Sequence, residues 1–166
     1  IGAGCGATVG KCLGPANSMK AGLGTYAIQL GDLQIGAVIA VNSFGDIIDP
    51  TTNEIIAGVY DHEGGKVLNT EKQLLQQLDA STNRFSGNTT IGTIITNAKA
   101  TKANMNKIAS IAHDGIARTM RPSHTFVDGD TLFAMTSNEV EVDLNIVGML
   151  AATVTEKAII NAIKQT

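Results

Sequence analysis

Apolar and polar positions follow two rhythms along this chain. Residues 25–31 (TYAIQLG) and 34–42 (QIGAVIAVN) are β-branched and apolar, set apart by Gly31, Asp32 and Leu33. They predict an antiparallel hairpin with a short turn, its second strand well buried. Residues 89–96 (TTIGTIIT) and 131–136 (TLFAMT) predict two more strands from their β-branched content. Helical spacing takes over in 102–120, through Met105, Ala109, Ala112, Ile116 and Met120 with Ile108 beside them. It returns over 144–164, through Val147, Leu150, Ala151, Val154, Ala158 and Ala162. Asn69 predicts the cap of a short helix over 70–78, because its side chain can accept from an unpaired N–H of the first turn. Residues 45–53 are rich in Gly, Asp, Pro and Asn and predict a loop. Residues 80–88 (ASTNRFSGN) are small and polar, the composition of an exposed, cuttable linker. Strands with helices attached, and hairpins in place of regular βαβ alternation, predict an α/β (α+β) fold of sheets layered with helices.

Bulk composition narrows the function classes. A length of 166 residues suits one domain with one core. The hydrophobic fraction of 43% and charged fraction of 16% belong to a globular chain and exclude a disordered one. Twelve Lys and Arg against 15 Asp and Glu give a net charge of −3, with the cations scattered, so nucleic acid is not an expected partner. No uninterrupted apolar run approaches the roughly eighteen residues of a membrane span, so no transmembrane helix is expected. Cys5 and Cys12 have no partners at zinc-ligand spacing and are too few for a disulfide scaffold. Reduced thiols in a cytoplasmic protein are the expectation. The chain opens at Ile1 inside a glycine-rich run (Gly2, Gly4, Gly6, Gly10), which suggests that further residues precede it.

Four motifs invite a function and fail. In GATVGK (6–11) the first glycine of a phosphate loop is replaced by Cys5, and Lys11 is followed by Cys12 in place of Ser or Thr. The dinucleotide fingerprint places Val9 where its third glycine belongs. Asp128-Gly129-Asp130 continues into Leu132 and Ala134, which cannot serve as calcium ligands. Ser123 and His124 are sequence neighbours, which does not make them a hydrogen-bonded catalytic pair. No cofactor and no metal are expected.

Gly87-Asn88-Thr89-Thr90 stands where the polar linker meets a buried strand. A Thr hydroxyl there can attack the carbonyl just before it, and hydrolysis of the resulting ester leaves Thr89 with an α-amine. Such an amine titrates near pH 7.7–8.0 and can take the hydroxyl proton, which makes Thr with its own amine an activated nucleophile. Asn-Thr-Thr alone is equally a polar start to a strand. Thr90 is the rival nucleophile, but in a strand its side chain points opposite to that of Thr89.

Four segments in order change the weight of that motif: GAGCGATVGKCLGP, AVNSFGDIIDP, GNTTIGTIITNA and AHDGIARTMRPSHTFVDGDTLFA. Together they resemble the family of L-aminopeptidase/D-esterases, β-peptidyl aminopeptidases and the nylon-oligomer endohydrolase, over nearly the whole chain. The resemblance implies a self-processed amide hydrolase with an αββα four-layer sandwich, like that of N-terminal-nucleophile hydrolases but differently connected. It implies that Thr89 is the nucleophile and Asn88 the last residue of the upstream chain, so that 1–88 and 89–166 separate on cleavage. Lys11 then matches the active-site lysine, Asn42 the polar group beside the tetrahedral oxyanion, and Asp128 and Asp130 the acidic pair that positions the new amine. Each residue also has a plain structural reading. Lys11 can neutralise a carboxylate, Asn42 can cap a strand end, and Asp-Gly can simply form a turn. His113 and His124 read as structural. The implied partners are a small peptide or amide substrate, an N-terminal segment of the same protein, and other copies in a homo-oligomer. An acyltransferase of the ornithine acetyltransferase type shares the fold and the self-cleavage, but places Ala before a Thr-Met pair where this chain has Asn88 before Thr89-Thr90-Ile91. A non-catalytic relative that kept the fold is the third reading.

Overall fold

The structure, a computed structural model, describes residues 2–77 and 87–166. The expected linker at 80–86 and the end of the expected helix at 78 lie outside the described residues. In chain order the strands are β1 (Thr8–Val9), β2 (Met19–Lys20), β3 (Leu23–Leu30), β4 (Leu33–Ala40), β5 (Asp46–Ile48), β6 (Ile55–Ala57), β7 (Tyr60–Asp61), β8 (Lys66–Val67), β9 (Ile91–Ala98), β10 (Met120–Arg121) and β11 (Thr131–Val140). The helices are α1 (Thr70–Gln76), α2 (Lys102–Thr119) and α3 (Leu144–Lys164).

The main sheet runs β11-β9-β4-β3. β3 and β4 form the expected hairpin, with Leu30 opposite Leu33 across Gly31-Asp32. Gly31 sits at φ 57, the left-handed region that a two-residue turn requires and that glycine adopts at no steric cost. β4 pairs antiparallel with β9, and β9 pairs parallel with β11. That parallel pair departs from the expectation of hairpins alone. Parallel neighbours need a long crossover, and α2 lies between them in the chain.

α2 and α3 cover one face of this sheet. Leu33, Ile35, Ala37 and Ile39 of β4 and Ile94 and Ala98 of β9 are buried beneath them, at the alternate positions that share one face. The predicted stripe of α3 is buried throughout, as are Met105, Ile108, Ala112 and Ile116 of α2. α3 rides so close to β3 that a Cβ on Gly24 would lie 1.9 Å from the Ala158 carbonyl oxygen. By length and composition α3 is long and apolar enough to cross a membrane, although its apolar residues do not form an uninterrupted run. Most of that window is buried against sheet and helix, as in the core helix of a globular domain. The cap of α1 is as the sequence suggested: Asn69 Oδ1 accepts the Lys72 N–H at 2.8 Å.

The opposite face of the sheet is uncovered among the described residues. Val38, Ile91, Ile95, Phe133 and Met135 stand exposed there at alternating positions. Helices on sheet therefore make two adjoining layers, α on β, and the second sheet face is apolar and open. A groove of about 710 Å3, bounded by Gln29, Gln34, Ile95, Asn97 and Met135, lies toward the far end of β9 from Thr89.

A second sheet, β10-β5-β6, includes a strand where residues 45–53 predicted a loop. Asp46, Ile47 and Ile48 are all buried. Ile47 pairs with Met120 and Ala57, and the Asp46 carboxylate accepts from Val59 N–H at 3.0 Å and Thr70 N–H at 2.6 Å. Burial pushes the Asp46 carboxyl up, the bonds from Thr70 and Val59 opposing it. Turn-like composition concealed this strand because its polar residue is satisfied by distant backbone.

Candidate active site

Three strand ends and one glycine loop meet around Thr89. Antiparallel pairing of β4 with β9 places the residues after β4 beside those before β9. Thr89 N–H donates to Asn42 O at 3.0 Å, and Asn42 N–H to Thr90 Oγ1 at 3.3 Å. Parallel pairing of β9 with β11 brings their leading residues together. Gly129 N–H donates to Asn88 O at 3.0 Å and Thr131 N–H to Thr90 O at 2.9 Å. The loop bearing Lys11 is tied down by Gly10 N–H to Gly45 O at 3.0 Å and Lys11 N–H to Phe44 O at 2.9 Å. Gly10 cannot be replaced there: φ is 73, and a Cβ would lie 1.9 Å from Gly58 C. Lys11, Asn42, Asn88, Thr89, Asp128 and Asp130 thus converge from four separate segments.

The two threonines are in opposite environments. Thr90 is fully buried, and its hydroxyl accepts from the Asn42 N–H. Thr89 is exposed, and its Oγ1 donates to Asn88 O at 2.6 Å. That oxygen also receives the Gly129 N–H, so the Asn88 carbonyl is polarised from two sides. Glycine at 129 leaves room for the Thr89 hydroxyl, since a Cβ would stand 2.8 Å from Thr89 Oγ1 and turn it aside.

Lys11 and Asn42 form one unit. Lys11 Nζ donates to Asn42 Oδ1 at 2.6 Å, and Thr8 N–H donates to the same oxygen at 3.2 Å. Two donors fix the orientation of the amide, so Nδ2 is turned to Gly87 O at 3.1 Å. Burial pulls the Lys11 ammonium down to about 8, and the Asp128 charge pulls the other way. Its charge is therefore labile just above neutral pH.

The aspartates have different partners. Asp128 Oδ1 accepts Phe44 N–H at 3.2 Å, while Oδ2 accepts the Thr125 N–H at 3.1 Å and hydroxyl at 2.6 Å. Asp130 Oδ1 accepts the Thr90 N–H at 2.9 Å. Of the two carboxylates, that of Asp130 reaches a neighbour of Thr89, the Thr90 N–H, and the Thr89 N–H itself is engaged by Asn42 O. Burial raises the Asp130 carboxyl above its ordinary range, against the Thr90 N–H. His124 Nδ1 lies 3.3 Å from Asp130 Oδ2, and the His113 ring lies 5.1 Å from the His124 ring. The sequence reading set both histidines aside. The available signal was their place in the same long segment as Asp128-Gly129-Asp130.

The fold class is that of N-terminal-nucleophile hydrolases. The l-aminopeptidase d-ala-esterase/amidase of Ochrobactrum anthropi superposes with a TM-score of 0.61 at 18% identity, over 97% of this chain and 43% of that one. A Burkholderia sp. beta-aminopeptidase gives 0.60 at 19% identity, over 97% and 44%. The sequence matches Peptidase family S58 over residues 1–166, and the chain belongs to that family. It is 37% identical over 148 residues to an uncharacterized aminopeptidase of Mycobacterium leprae, covering 85% of this chain and 37% of the relative. It is 35% identical over 145 residues to a 6-aminohexanoate-oligomer endohydrolase of Kocuria sp., covering 85% and 40%. The chain spans about two fifths of the length of these relatives.

Proposed function

We propose that this chain carries the self-cleavage site and nucleophile of an amide hydrolase, an aminopeptidase or amidase that works through Thr89. One observation carries the reading: the Asn88–Thr89 peptide, with Thr89 Oγ1 2.6 Å from Asn88 O and the Gly129 N–H 3.0 Å from the same oxygen.

Thr89 Oγ1 attacks the Asn88 carbonyl carbon, and the Gly129 N–H stabilises the oxygen as negative charge develops on it. The hydroxyl proton passes to Thr89 N as the bond from the carbonyl carbon to that nitrogen breaks, leaving an ester to Oγ1 and an α-amine. Water hydrolyses the ester, giving 1–88 an Asn88 carboxylate and 89–166 a threonine N-terminus. Departure of the upstream end then releases Asn42 Nδ2 from Gly87 O, with Lys11 still holding the amide turned toward the site. That donor becomes available to the oxyanion of an incoming amide. The Thr89 amine accepts the hydroxyl proton and passes it to the departing amine as the substrate C–N bond breaks and Oγ1 is acylated; water then hydrolyses the ester, releasing the acid and restoring the hydroxyl. Asp130 and Asp128 provide negative charge beside the new ammonium. The relative from Ochrobactrum anthropi is described as a prototype for the serine aminopeptidases, whereas a threonine occupies the corresponding role proposed here.

A small peptide or amide is the proposed substrate, and the open sheet face is the proposed contact for the remainder of the protein. Intact-mass measurement and N-terminal sequencing of purified protein test the reading. Two chains are expected, the downstream one starting at Thr89. A start at Thr90, or a chain that stays whole, would refute it.

A further inference from the structure

Asp130 is an enclosed acid at the site, with its side chain 3% exposed. A buried carboxylate stays charged where donors and cations replace the water it has lost. Oδ1 has the Thr90 N–H at 2.9 Å, and Oδ2 lies 3.3 Å from His124 Nδ1, within ion-pairing distance. His124 reaches that position from a left-handed backbone, φ 53, which few residues other than glycine, asparagine and histidine adopt. Behind it, α2 presents His113, whose ring is 5.1 Å away.

We infer that His124 is a positioning residue for the nucleophile: it keeps Asp130 charged and oriented on the Thr90 N–H, and so fixes the start of β9 that carries Thr89. This rests on the role proposed for Thr89. His124 touches neither the scissile peptide nor a substrate; it acts through Asp130. The charged and titratable groups around Asp130 are His113 and Asp114 on α2, His124 in its loop, and Asp128 on its own loop, with Lys11 facing Asp128 from the glycine loop. Burial holds His113 below the ordinary histidine range, so it presents a neutral ring to His124. Of these groups, His124 is the one in ion-pairing reach of Asp130.

Two substitutions separate donor from backbone. Asparagine accepts the left-handed backbone and places an amide donor near the position of Nδ1, without titrating. Glycine accepts the same backbone and provides no donor. His124→Asn in the whole protein should cleave at Asn88–Thr89 within about threefold of the parent at neutral pH. His124→Gly should slow cleavage by about tenfold or more. The pH at which cleavage fails on the acid side should rise by about half a unit or more in the glycine variant. Equal losses in both variants with an unmoved acid limb would mark His124 as merely structural and overturn the inference. So would a glycine variant that behaves like the parent. The Asp130 carboxyl resonance, titrated in a Thr89→Ala background, gives a readout that does not depend on cleavage. A midpoint higher in His124→Gly than in His124→Asn upholds the pairing even if Thr89 proves not to be the nucleophile. An unchanged midpoint overturns it even if Thr89 does.

Discussion

The two flanks of Thr89 hold different parts of the chain. On one side Lys11 and Asn42 form an amide-and-ammonium unit whose outward donor grips Gly87 O, upstream of the proposed cut. On the other side Gly129 and Asp130 hold Asn88 O and Thr90 N–H, the acyl group and the strand that remains. One flank is built on a glycine loop, the other on the end of a strand. The contrast suggests a division of labour: the second flank aligns the peptide for cleavage, and the first is reused afterwards when its donor is vacated.

Thr89→Ala should have the largest effect. Without the hydroxyl no acyl shift can occur, and the chain should stay whole on a gel under all conditions. Thr90→Ala is the matching control. It removes a buried hydroxyl that accepts from Asn42, so melting temperature should fall, yet the cut should still occur before Thr89. Cleavage persisting in Thr89→Ala would dissolve the comparison of flanks altogether.

Lys11→Met tests the first flank. Losing the donor allows the Asn42 amide to turn, and hydrolysis of a model amide by processed enzyme should drop by roughly 100-fold. The sign with pH is also fixed. The Lys11 ammonium is held down to about 8, so it is charged below that pH and neutral above. If its charge orients Asn42, activity falls as pH rises through about 8, and that limb is missing in Lys11→Met. A rise through the same range that disappears in Lys11→Met would make neutral Lys11 the base instead, whereas a rise kept in that variant belongs to the Thr89 amine. Stability moves the other way. A lysine whose folded value lies below its unfolded one favours folding increasingly as pH rises from about 8, because the unfolded chain then binds more protons.

Gly129→Ala tests the second flank with one methyl group. Its Cβ would be 2.8 Å from Thr89 Oγ1, and Oγ1 must rotate away from the Asn88 carbonyl. Self-cleavage timed after rapid dilution from denaturant should slow by about tenfold, with little change in melting temperature. Unchanged cleavage would mean that Oγ1 attacks from a different rotamer.

These residues were legible in unequal degree. Helices α2 and α3 and the β3–β4 hairpin follow from periodicity, because each buries one continuous face. β5 was missed since Gly45, Asp46, Asp49 and Pro50 look like turn residues, and only Thr70 and Val59, far along the chain, satisfy Asp46. The parallel pairing of β9 with β11 was equally invisible, because nothing local records which strand a crossover returns to. At the site, Thr89, Lys11, Asn42, Asp128 and Asp130 came from the resemblance, and physical spacing alone would have left each as cap, turn or ion pair. His124 was passed over because its partner Asp130 is six residues away in a loop whose shape no periodicity predicts.

Asp128→Asn should give the smallest effect, and it joins the two flanks. Asp128 accepts from Phe44 N–H on one oxygen and from the Thr125 N–H and hydroxyl on the other, so each oxygen faces a backbone N–H that cannot accept. An asparagine there must turn its own Nδ2 toward a donor, so stability should fall by about 1–2 kcal/mol. Cleavage at neutral pH should stay within about threefold of the parent, because no bond from Asp128 reaches Asn88 O or Thr89 Oγ1. The charge is felt elsewhere. Asp128 is the group that opposes the effect of burial on Lys11, raising its ammonium toward the ordinary value. Without that charge Lys11 becomes neutral at a lower pH, and the alkaline limb of activity should move down by less than about one unit. A limb that stays in place would separate the flanks electrostatically. A loss of cleavage of about 100-fold would put Asp128 against the reacting atoms themselves.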